Sequence, residues 1–138
     1  MKKSPKPLKH SVKLRARFAE TDAMRVVHHT AYFVWFEVAR TEMLRSLGLP
    51  YTEIQRRGFH TPLVEAHANY LAPARYDDEV QVTVRPSKIG RSSIRMDFEI
   101  VKLPGKELLC TGHSVHVLVG SDGRPKAIPD DLREKLSA

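Results

Sequence analysis

From residue 12 the chain alternates. Val12, Leu14, Ala16 and Phe18 are apolar, and the Lys13, Arg15 and Arg17 between them are charged. A period of two marks a strand with one buried face. From Glu20 to His29 the pattern is lost, as in a loop. At Thr30 the period becomes helical. Tyr32, Phe36, Ala39, Met43 and Leu47 fall on one stripe with Trp35 beside it, and Glu37, Arg40, Glu42 and Arg45 lie off it. Thr30 is the expected N-cap. Gly48 followed by Pro50 is a stop signal, so the helix runs roughly five turns at about 3.6 residues each. A short second helix is predicted from Tyr51 to Arg57, ended by Gly58.

Beyond it the pattern is strand-like almost to the end. Phe59 to Leu71 reads as extended, with Pro62 marking an edge or a bulge at its start. Val80, Val82 and Val84 alternate, as do Ile94, Met96, Phe98 and Ile100, and Lys88 to Arg91 between them reads as a hairpin loop. Pro73 to Asp78, Pro104-Gly105 and Asp122-Gly123 are turns. Leu108 to Val119 is a long strand with Val115, Val117 and Val119 on one face, and Pro129 to Leu136 a short closing helix. This order predicts an α+β domain over residues 11–138. An antiparallel sheet of about five strands wraps around one long helix, which is the hotdog arrangement. The helix must bury its stripe on one sheet face. A single helix is too little to cover every edge, so a homo-oligomer is expected.

Composition narrows the class. A length of 138 residues with 41% hydrophobic content suits one packed domain. No apolar run approaches the ~18 residues of a membrane span. The N-terminal lysines are followed by no apolar stretch, and Cys110 is the single cysteine. The expectation is no secretory signal, no intrachain disulfide and a reducing, cytoplasmic setting. The net charge is +7, and Lys2, Lys3, Lys6 and Lys9 contribute to it in a basic flexible tail over residues 1–10. No helix-turn-helix, zinc-finger or aromatic RNA-binding spacing accompanies the charge, so no nucleic-acid partner is expected. There is no Walker A run and no Gly-x-Gly-x-x-Gly, which leaves nucleotide hydrolysis and dinucleotide redox chemistry without support.

The candidate chemistry gathers before the long helix. Asp22, in Thr21-Asp22-Ala23, has an ordinary reading as a turn aspartate. Its place just ahead of a helix N-terminus gives a second one. There it could attack an acyl carbon and form a mixed anhydride, or orient a water as general base, and the sequence leaves both open. His28 and His29 have no metal-ligand spacing around them, and no metal site is expected. A structural role is expected for both rings. The backbone N–H of His29 is the better candidate, because a first-turn amide is an unpaired donor at the positive end of a helix. Glu37 and Arg40 suit a structural ion pair. Tyr32, Trp35 and Phe36 read as core. Glu65 and His67 share one strand face, either exposed or turned towards a pocket. Cys110 reads as a buried, inert thiol. Lys88 with Gly90-Arg91-Ser92-Ser93 is either a plain hairpin loop or a site for the phosphates of a cofactor.

These residues resemble a known family. The run Thr21-Asp22-Ala23-Met24-Arg25-Val26-Val27-His28-His29-Thr30-Ala31-Tyr32, continuing through Trp35 to Glu42 and resumed at Tyr70 to Asp78, is similar to the signature of hotdog acyl-CoA thioesterases of the 4-hydroxybenzoyl-CoA thioesterase type, including the enzyme associated with the Tol–Pal system. The resemblance covers about residues 11 to 128. It implies hydrolysis of an acyl-CoA thioester without metal or added cofactor, CoA being part of the substrate, at sites between the subunits of a homodimer or homotetramer. By the same resemblance Asp22 is the catalytic aspartate and the His29 amide polarises the thioester carbonyl. Tyr32 is a substrate-binding tyrosine early in the helix, Glu65 is a further candidate, and Lys88 and Arg91 meet the nucleotide end of CoA. One departure stands out, since the family usually has glycine where this chain has Arg25. The rival expectations are a dehydratase or hydratase of acyl thioesters, and a non-catalytic acyl-CoA-binding module.

Overall fold

The computed structural model describes residues 8–137. Five strands form one antiparallel sheet: β1 (His10–Arg15), β2 (Leu63–Tyr70), β3 (Glu79–Ile89), β4 (Ser93–Lys102) and β5 (Glu107–Val117), in the order β1-β3-β4-β5-β2. The long helix α1 (His29–Ser46) follows β1 and lies on one face of the sheet. The short helices α2 (Tyr51–Arg56) and α3 (Asp130–Ser137) complete the fold. This is the hotdog arrangement that the periodicity predicts. Residues 1–7 of the expected basic tail lie outside the described residues. Among the described residues no helix is long and apolar enough to cross a membrane.

The core forms where the two periods meet. On β3 and β4, Val82 lies opposite Ile100 and Val84 opposite Phe98, all of them buried. From above, α1 presses Tyr32, Trp35, Phe36, Ala39 and Met43 onto this surface. Each large side chain so buried contributes about 1.5–3 kcal/mol.

Three local expectations are corrected. β1 ends at Arg15, and Phe18 leaves the sheet for a 3-10 turn, Phe18–Glu20, where it is 76% exposed. The last ties on this side are at Ala16, whose N–H donates to the Asp78 carbonyl and whose carbonyl accepts the Asp77 N–H, both at 2.9 Å; the Glu20 carboxylate then accepts the Arg17 N–H at 2.9 Å and bends the chain away. The cap of α1 is His28 and not Thr30: its Nδ1 accepts the Thr30 N–H at 3.3 Å, so the helix begins at His29. On β5 the core face carries Cys110, Ser114 and His116, while Val115 and Val117 are only half-buried. Register explains this, because Ser114 lies opposite Met96 and His116 opposite Ile94, both core residues of β4.

Close contact between α1 and the sheet depends on one glycine. Gly112 of β5 pairs with Phe98 of β4, and the Phe36 ring stacks on Phe98 at 4.4 Å between centroids. A Cβ on Gly112 would stand 2.7 Å from the Phe36 ring and 2.4 Å from the His67 carbonyl oxygen. Gly112→Ala should therefore lower stability by about 1–3 kcal/mol through overpacking. Urea unfolding measures this, and an unshifted midpoint would refute the tight seating of Phe36.

Candidate active site

The loop between β1 and α1 is held from inside itself and from outside. Within it, the Asp22 N–H donates to the Val26 carbonyl at 3.0 Å and the Arg25 N–H to the Asp22 carbonyl at 2.9 Å. The Met24 N–H donates to Asp22 Oδ1 at 2.8 Å. The turn-forming reading of Asp22 thus holds for one carboxylate oxygen. Its Oδ2 has no hydrogen-bond partner among the described residues and is open to chemistry. Arg25 closes this turn with a φ of 63°. The chain therefore keeps the left-handed backbone that glycine adopts easily, with an arginine side chain in place.

From outside, the Val27 N–H donates to the Ala74 carbonyl at 2.8 Å and the His28 N–H to the Glu20 carbonyl at 2.7 Å. The Glu20 side chain is only 9% exposed. Its carboxylate accepts the Trp35 indole N–H at 2.8 Å and so ties the loop to the second turn of α1.

Two tyrosines fix the start of the helix. The Tyr70 hydroxyl donates to the His29 carbonyl at 2.8 Å, and the Tyr32 hydroxyl accepts the Ala74 N–H at 3.1 Å. Their rings meet edge to face, 5.1 Å apart. Burial pushes the pKa of both phenols up, so both stay protonated at neutral pH. The His29 N–H makes no hydrogen bond among the described residues. As the first amide of an 18-residue helix it carries the positive end of the backbone dipole.

Asp22, His29 and Tyr32 line one open cavity of about 410 Å3, together with Tyr70, Leu71 and Pro73. A carboxylate and an unpaired helix N-terminal amide thus border the same space. A carbonyl group held there can have its oxygen polarised by the amide while the carboxylate, or a water it orients, approaches the carbon.

The remaining candidates lie elsewhere. Glu65 accepts a hydrogen bond from His113 Nε2 at 2.7 Å, and the His113 ring stacks on His67. These two histidines line a polar cleft that does not include Asp22. Lys88 and Arg91 are exposed at the β3–β4 turn. Glu37 and Arg40 form no ion pair among the described residues, against the expectation from their spacing. Glu37 is exposed and Arg40 half-buried at the rim of one cavity, and burial, which outweighs the nearby Glu37 charge, pulls the pKa of Arg40 down. Cys110 is fully buried, and burial pushes its thiol up to about 11, which suits an inert role. Sequence reasoning missed Glu20 as an anchor. Tyr70 was legible only as part of the segment that resumes the family resemblance.

The chain is similar in sequence and fold to known proteins. A family model described as the thioesterase-like superfamily matches residues 16–136. A protein of Aquifex aeolicus provisionally named an esterase is 33% identical over 122 residues, spanning 88% of this chain and 93% of its own length. A chloroplastic acyl-acyl carrier protein thioesterase of Arabidopsis thaliana is 31% identical over 127 residues, spanning 92% of this chain and 67% of its own. The crystal structure of a DHNA-CoA thioesterase from Staphylococcus aureus superposes with a TM-score of 0.86 at 29% identity, covering 92% of this chain and 87% of that one.

The positive φ at Arg25 yields a prediction for the loop. Arg25→Gly should raise stability, by no more than about 1 kcal/mol once the added freedom of the unfolded chain is counted. Arg25→Val should lower it by about 1 kcal/mol or more, because a β-branched residue fits the left-handed region worst. Thermal denaturation of the pair tests this, and equal melting temperatures would show that Arg25 is not strained.

Proposed function

The chain belongs to the thioesterase-like superfamily, and from that premise we propose that it hydrolyses the thioester bond of acyl-CoA substrates. What supports the reading most is that Asp22 and the unpaired His29 amide line one cavity. The thioester oxygen accepts the His29 N–H. Asp22 Oδ2 attacks the acyl carbon, the C–S bond breaks, and CoA leaves as its thiolate and takes a proton from water. A water then cleaves the mixed anhydride. In the general-base version Asp22 removes the proton of a water that attacks directly. Charge building on the oxygen is met in both by a donor already in place, so little reorganisation is needed.

The narrower kinship with the 4-hydroxybenzoyl-CoA thioesterase type is part of the proposal and rests on the segments Thr21 to Tyr32 and Tyr70 to Asp78. Relatives named for acyl-acyl carrier protein and DHNA-CoA substrates keep the acyl group broad. Tyr32 acts mainly by holding the helix start against Ala74. The exposed Lys88 and Arg91 are suited to CoA phosphates, whereas Glu65 is engaged by His113. No cofactor beyond the CoA of the substrate enters this scheme. A reducing, cytoplasmic setting belongs to the same reading, supported by the lone buried thiol.

The working form proposed is a homo-oligomer built on the edge of β2. This strand ends the sheet on one side, and Leu63, Val64 and Tyr70 on it, with Leu71 just beyond it, are 46–59% exposed. Glu65 is the one carboxylate on this strand and is held by His113, so an edge that still exposes apolar side chains invites pairing with a second copy.

Two measurements test the reading. Asp22→Asn should cut CoA thiol release from a panel of acyl-CoAs by about 100-fold or more with the fold intact. Near-normal release would sink the assignment, and loss of substrate without free thiol would favour a hydratase. Val64→Glu should shift the protein to monomer in sedimentation velocity, whereas an unchanged oligomer would move the interface away from β2.

A further inference from the structure

A groove of about 320 Å3 runs between α1 and the start of β2 and is not used by the chemistry above. Its rim is apolar at Val34 of α1 and Leu63 of β2, which are 48% and 55% exposed. Two charges border it as well. Glu37 is exposed and Arg40 half-buried, and among the described residues neither makes a hydrogen bond or an ion pair. The Ser114 and Thr61 hydroxyl oxygens on its walls are buried and also lack a partner among the described residues. His116 is the remaining titratable group there. Burial, with the nearby Arg40 charge, pulls its pKa down, so the ring is neutral.

With one carboxylate and one guanidinium the groove is neutral, so it calls for no free ion of either sign. Yet a half-buried guanidinium without an anion in contact is costly, and buried hydroxyls are nearly always satisfied. The Glu37 charge acts on Arg40 through space without touching it. The surface that fits must offer an anion to Arg40, a cation to Glu37 and apolar area to Val34 and Leu63. A second copy of the same groove has all three. Two-fold contacts are self-complementary: where one residue meets another across the axis, the second meets the first in return.

The spacing suits such an axis. Glu37 and Arg40 are three positions apart, so they are neighbours on one face of α1. Two α1 helices crossing antiparallel about a point between them set Glu37 of each copy opposite Arg40 of the other. Both side chains are long enough to meet across helix axes about 8–10 Å apart. The same axis serves the sheet edge. Ala66, in the middle of β2, lines the groove beside Glu37 and Arg40 and is itself exposed. Two β2 edges pairing antiparallel about Ala66 are therefore centred where the two helices meet, and the small side chain leaves room for them.

We propose that this groove docks a second copy of the chain, with the two α1 helices antiparallel and Glu37 of each copy paired with Arg40 of the other. The position of the axis rests on the oligomer reading at the β2 edge, and nothing in it depends on the thioester chemistry. Docking removes Val34 and Leu63 from water and gives the guanidinium the carboxylate it lacks. Four alternating charges around the axis fix the register of the two helices, which apolar contact alone leaves free to slide.

Sedimentation equilibrium of the full chain tests this apart from turnover. Glu37→Arg and Arg40→Glu should each weaken self-association by at least about tenfold in Kd, because each sets like charges opposite one another. The double variant Glu37→Arg/Arg40→Glu restores both pairs and should regain the association. Mixing the two single variants separates contact between copies from contact within one chain. One variant then has two arginines at these positions and the other two glutamates, so the mixture should associate at least about tenfold more tightly than either variant alone. Should Arg40→Glu fail to fold, Arg40→Gln replaces it in the mixture, and Glu37→Arg, at an exposed position, carries the single-variant arm. Association unchanged in Glu37→Arg, or a mixture no tighter than its components, overturns the proposal. Dissociation by Val64→Glu but not by Glu37→Arg keeps the β2 edge and overturns the helix contact, whereas a monomeric wild-type chain overturns both.

Discussion

The Glu20 carboxylate is the contact on which the site depends. It is almost buried and receives the Trp35 indole N–H and the Arg17 amide, while the carbonyl of the same residue receives the His28 N–H. A hydrogen bond to a charged acceptor is worth about 1.5–3 kcal/mol. A buried carboxylate left unpaired costs more than the bonds it made. One residue therefore locks the end of the first strand segment to the first two turns of α1. Asp22 and His29 lie between these two attachment points, so their relative position follows from the lock and not from a flexible loop.

Much of the fold was legible because it rests on periodicity. The valines of β3, the alternating apolar residues of β4 and the stripe of α1 all bury the face their spacing implies. The failures share a cause, which is pairing between residues far apart in sequence. Val115 and Val117 look like the core face of β5 by hydrophobicity, yet the register with β4 gives the core to Ser114 and His116. The ion pair suggested by the spacing of Glu37 and Arg40 does not form among the described residues, although both border the same cavity beside α1 and the carboxylate still acts on the guanidinium through space. At the site, Asp22 and His29 were readable because a carboxylate just before a helix start is a local pattern. Glu20 was not, since its partner Trp35 is 15 residues on and a glutamate acceptor for an indole leaves no spacing signal.

The helix carries two different stripes, and this double use constrains it. One stripe, Tyr32, Phe36, Ala39 and Met43, is core and fixes the helix on the sheet. The next, from His29 through Phe33 and Glu37 to Arg40, borders open space. A residue at the boundary, such as Phe36, must serve both, and Gly112 gives up its side chain so that Phe36 can sit low enough to do so. The position of the His29 amide is thus coupled to core packing, since any change that lifts Phe36 also moves the helix start relative to Asp22.

Departures from local rules fall in two places, at the start of α1 and in the space between Arg40 and the sheet. Arg25 holds a backbone conformation suited to glycine, a histidine caps a helix where serine, threonine, asparagine or aspartate is the usual choice, and the first helical amide has no partner. Ser114 and Thr61 lie buried without partners beside a half-buried guanidinium. Folding alone gives no reason to keep any of these, since each costs stability that a simpler residue would recover. The departures at Arg25, His28 and His29 follow one another into the first turn of α1, and a ligand carbonyl there would supply the partner that the His29 amide lacks.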